Sequence, residues 1–123
     1  MDRDFGRRHR RALRELADLA WERELSAELT TLAASFDEWK AGRLGPHDLS
    51  DRIHRFHDDA ARGLYSLYTR VHSSQLVARA VGRGVLTEAD VPADLLGDLA
   101  RTIEYYRLER QSPTDDAESP SGE

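Results

Sequence analysis

The chain has 123 residues and no cysteine, which is one domain's worth of sequence and excludes disulfides, thiolate catalysis and cysteine-ligated zinc. Hydrophobic residues make up 39% and charged residues 33%, a balance that suits helices with one apolar stripe and a solvated remainder. The net charge of −5 argues against a default nucleic-acid binder, because phosphate neutralisation supplies most non-specific affinity.

From about Asp4 to Ala41 the pattern is helical. Leu13, Ala17, Trp21, Leu25, Leu29, Leu32, Phe36 and Trp39 follow one another at spacings of four or three, an apolar stripe on one long helix. Ser26 is a possible N-cap for a new helix, and one uninterrupted helix is the favoured reading. Gly42 supplies the stop, and the Gly-Arg-Leu-Gly-Pro run at 42–46 makes a turn. A second helix is expected from about Pro46 to His72, with Pro46 in its first turn and a stripe of Leu49, Ile53, Phe56, Ala60, Leu64, Leu67 and Val71. Two long amphipathic helices joined by a short turn predict an antiparallel hairpin.

A short helix around Leu76–Val81 should stop at Gly82-Arg83-Gly84, and Thr87 can cap a brief turn over residues 88–90. A last helix should open near Pro92 and carry Leu95, Leu96, Leu99, Ile103 and Tyr106 inward. The fold class expected is therefore all-α: a long antiparallel hairpin packed with one short and one longer C-terminal helix, as a single domain over residues 1–110. Residues 111–123 hold two Pro and four acidic groups with no large apolar residue. They cannot offset the entropy of ordering and read as a disordered acidic tail.

The second helix holds the most informative pattern, with four of the five His and two of the four Tyr. At about 100° per residue, His47, Asp51, His54, Asp58, Ala61, Tyr65, Tyr68 and His72 form a second line roughly 140° from the apolar stripe. His57 falls between the two lines. Tyr and His carry apolar bodies with polar tips, which suits a contact face. The expected binding surface is His54, Asp58, Arg62, Tyr65 and Tyr68, with packing inside the chain as the alternative for Tyr68 and His57. Asp48 and Arg52, Asp51 and Arg55, and Asp58 and Arg62 stand four apart as acid-to-base pairs, worth about 0.2–0.5 kcal/mol each on an exposed helix.

Two enzymatic readings attach to the same segment. His54, His57 and Asp58 could contribute to a metal site, although no Glu-x-x-His motif accompanies them. Arg52 and His57 make an Arg-x4-His pattern that resembles the motif of HEPN-type helical ribonucleases. The resemblance implies His57 as general acid or base and Arg52 as the phosphate stabiliser. It covers two residues of the chain, and Ile53 stands where that family often has a polar residue. No nucleophile elbow surrounds any Ser.

The N-terminal segment is basic, with six Arg against two Asp over residues 2–14. Arg7, Arg8, Arg10 and Arg11 could grip a phosphate backbone, which makes nucleic acid a secondary candidate partner. Seventeen of the eighteen basic side chains are Arg, a usage that looks like the coding bias of a GC-rich bacterial genome. No secretory h-region and no long apolar run is present, so a cytoplasmic location without a membrane partner is expected. The functional reading is a non-enzymatic helical protein-interaction or regulatory module without a cofactor. It self-associates or docks on another protein through the His/Asp/Tyr/Arg face of the second helix.

Overall fold

A computed structural model describes residues 9–111, and every regular element among them is helical. The fold is all-α, a small helical bundle. The expected contributions of Arg7, Arg8 and the tail from residue 112 onward lie outside the described residues.

Helix α1 spans Arg10–Lys40 with no break at Ser26. It ends at Gly42, whose φ of 81° is left-handed and favours a residue without Cβ. The Gly42 N–H donates to the Trp39 carbonyl and the Arg43 N–H to the Glu38 carbonyl, closing the last turn. Helix α2 spans Pro46–Arg55, with Pro46 in its first turn, where its missing N–H costs nothing. A π turn, Phe56–Ala61, follows without a break and leads into α3, Arg62–Arg70. The expected second helix is therefore helical throughout, but its periodicity changes in the middle.

Helix α4 spans Ser73–Arg83. His72 caps it, its ring accepting from the Ser74 N–H at 3.2 Å. Gly84, with φ 84°, ends it. A 3-10 turn over Glu88–Asp90 is closed by a capping box with Thr87, as the sequence predicts. Helix α5 spans Ala93–Gln111.

By internal contacts the chain forms two compact units, residues 21–71 and, among the described residues, 9–20 with 72–111. The second of these has an aliphatic core. Leu13, Leu16, Ala17 and Ala20 of α1 are buried in it, as are Leu76, Val77, Ala80 and Val81 of α4 and Leu95, Leu99 and Ile103 of α5. Helices α4 and α5 approach closely at Gly82. A Cβ there would sit 2.6 Å from Tyr106 Cβ and 2.9 Å from the Ile103 carbonyl oxygen. His9 lies 3.4 Å from the Asp94 carboxylate in the first turn of α5.

The unit of residues 21–71 is the hairpin. Its arms run antiparallel, since Arg52 bonds to Ser35 and Glu38 while Tyr68 bonds to Glu24. Its interior is thin: Ser35, Leu49 and Tyr68 are its only buried residues.

Candidate functional site

The hairpin is held largely by polar side chains. Arg52 Nη1 donates to the buried Ser35 hydroxyl at 2.9 Å and to Glu38 at 3.1 Å. It turns across to α1 rather than along its own helix to Asp48. Tyr68 donates to Glu24, and its ring stacks on Trp21 with centroids 5.6 Å apart. Between these two clamps the arms part around a groove of about 380 Å³. Thr31, Leu32 and Ser35 line it from α1, and Arg52, Arg55 and Phe56 line it from the other arm.

The π turn decides which residues of the second arm reach that interior. In an uninterrupted helix Tyr68 would stand about 100° from Leu49. The wider turn takes up one extra residue and returns Tyr68 to the side of Leu49, and both are buried. This decides between the two places open to Tyr68, the contact face and the interior. Tyr68 faces inward on Trp21 and does not share an open face with the other four. His54, Asp58 and Arg62 are exposed, and so is Tyr65, with 62% of its surface in water. Tyr65 also meets Trp21 edge-on at 6.0 Å. His57, expected on the flank of the core, is exposed on the π turn.

The same geometry corrects the expected core stripe. Leu29, Trp39 and Ile53 are 47%, 42% and 38% exposed, and Leu25, Phe36, Leu64 and Leu67 are only half-buried. Helix α1 meets its partner arm through Glu24, Ser35 and Glu38, so its aliphatic stripe is rotated off the contact. At about 100° per residue, Leu29, Ala33 and Phe36 sit roughly 110° clockwise from the groove-lining residues, seen from the N-terminus of α1. Ile53 is displaced by a similar angle in the same sense on α2. On antiparallel helices the same sense of rotation leads to the same side. Leu29, Ala33, Phe36, Ile53 and Tyr65 therefore share one open side of the hairpin. A sequence reading misses it because the stripe by itself reads as core.

Among the described residues no three His, Asp or Glu side chains converge as a metal site requires, His54, His57 and Asp58 included. Arg52, one half of the Arg-x4-His pattern, is engaged by Ser35 and Glu38. Of the basic N-terminal segment, Arg10 and Arg11 are exposed, and Arg11 pairs with Glu15 at 3.2 Å. No helix among the described residues is long and apolar enough to cross a membrane. Comparison with protein families, with curated proteins and with solved structures finds no match.

Proposed function

We propose that this chain is a non-enzymatic protein-interaction module that self-associates through the open side of its helical hairpin. The observation that supports this most is the set of large apolar side chains left in water there, Leu29, Ile53 and Tyr65 above all. Scattered exposed apolar residues are ordinary, but a run of them along one side of a hairpin with a thin interior marks a contact surface. Tyr65 has the character of an interface anchor, a large rigid ring with a polar tip. His54, Asp58 and Arg62, exposed on the same arm, supply a polar border of the kind that surrounds such anchors.

Sedimentation equilibrium over a wide concentration range tests the reading. The expected outcome is a weight-average mass rising from 14.0 kDa toward twice that value as concentration increases. Replacing Tyr65 by Ala should shift that rise to higher concentration, while circular dichroism keeps the same helical content. A mass fixed at the monomer value up to the highest accessible concentration overturns the proposal.

A further inference from the structure

Resting on that reading, we infer that the partner is a second copy of this chain, packed with its α1 antiparallel to the first about a two-fold axis level with Thr31. The line of α1 residues along the open side is Glu22, Ser26, Leu29, Ala33, Phe36 and Lys40. All are exposed except Phe36, which is half-buried. Their spacing is four, three, four, three, four, which reads the same in both directions, with its midpoint at Thr31. Reversal about that point sets Leu29 against Ala33, Phe36 against Ser26 and Glu22 against Lys40. Each large side chain meets a small one, as interdigitating helices require, and each charge at the ends meets its opposite. The parallel alignment would instead stack Leu29 on Leu29 and Lys40 on Lys40.

The second arm fits the same axis. Tyr68 is level with Glu24, and Arg52 is level with Ser35 and Glu38. Thr31 therefore stands opposite the π turn, about midway between Ile53 and Tyr65. The two-fold axis that pairs α1 with its copy carries Ile53 of one hairpin toward Tyr65 of the other. The product is a four-helix bundle, the usual way for two hairpins to close a shared core.

Area limits how much of the surface must take part. Glu22 and Lys40 are about 27 Å apart along the axis, so one helix about 10–12 Å wide covers only about 300 Å² per copy. Both arms together approach about 600 Å², the low end for a specific dimer. The contact must therefore span the whole open side, and it should be concentration-dependent.

Because the chain has no cysteine, single Cys variants can be spin-labelled at one site. In Lys40→Cys the two labels should lie about 27 Å apart along the axis, plus the helix separation. In Thr30→Cys, on an exposed position beside the contact and level with its centre, they should be close enough to broaden the spectrum strongly. Leu29→Asp should weaken dimerisation about tenfold or more with helical content unchanged. Ala33→Glu, on an exposed small residue, should do the same. Glu22→Lys and Lys40→Glu should each weaken the dimer severalfold, and the double variant should restore it. A monomer at all concentrations overturns both this inference and the function it rests on. A dimer with short Lys40→Cys distances, or one indifferent to Leu29→Asp and Ala33→Glu, overturns only the antiparallel arrangement. So does a double charge variant no tighter than either single one.

Discussion

Tyr68 joins the two arms of the hairpin in two ways at once. Its hydroxyl donates to Glu24, and its ring lies 3° from parallel to the Trp21 indole. The phenol is buried, so the hydrogen bond to a carboxylate has little competition from water. Tyr68→Phe keeps the stack and removes the bond. We expect a loss of about 1–2 kcal/mol in urea unfolding, with the near-ultraviolet signal of Trp21 retained. No loss would mean that the ring alone closes this end. Arg52 has the equivalent position at the other end, bridging Ser35 and Glu38. One nitrogen, Nη1, makes both bonds through its two N–H groups. The sequence reading singles out none of Glu24, Ser35 and Glu38, and gives Arg52 only Asp48 or a phosphate as a partner. Nothing in their spacing distinguishes them from their exposed neighbours, because the partner that engages them lies on another helix.

The π turn is the element on which the hairpin depends. Its six residues, Phe56–Ala61, widen the helix by one residue and re-aim everything after them. Such a turn forgoes well-aligned backbone bonds, and it persists here because it brings Tyr68 onto the side of Leu49. If that is its role, deleting the exposed Asp58 should convert the turn to ordinary α-helix while leaving Tyr68 in register. Thermal unfolding of the deletion variant should stay cooperative and within about 1 kcal/mol of the parent. A deletion variant that fails to fold would show that the wide turn serves some other contact. In α1 the apolar stripe was legible, and so were its continuity past Ser26 and its stop at Gly42. Its direction was not. A helix tells which of its faces is greasy, but not whether that face points at its neighbour.

Across the whole molecule, burial is uneven. The unit containing α4 and α5 seals Leu76, Val77, Leu86 and Leu95 almost completely from water, with Leu13 of α1. The hairpin unit buries only three residues. Opening free energies follow local apolar burial, so amide hydrogen exchange should be slowest over residues 76–81 and 95–103 and faster throughout residues 21–71. Equal protection in the hairpin at low protein concentration would contradict the view that its interior is thin. The sequence determined the helical class, five helix boundaries to within a residue or two, both glycine stops and the Thr87 cap, because these are local: they depend on backbone preference and on neighbours a few positions away. Only the tertiary structure decided that Tyr68 faces in and Tyr65 out, that Arg52 bonds across the hairpin, and that Leu29 and Ile53 stay in water. Those outcomes depend on the relative rotation of two helices, and that rotation is set by side chains far apart in the chain and by one extra residue in a turn.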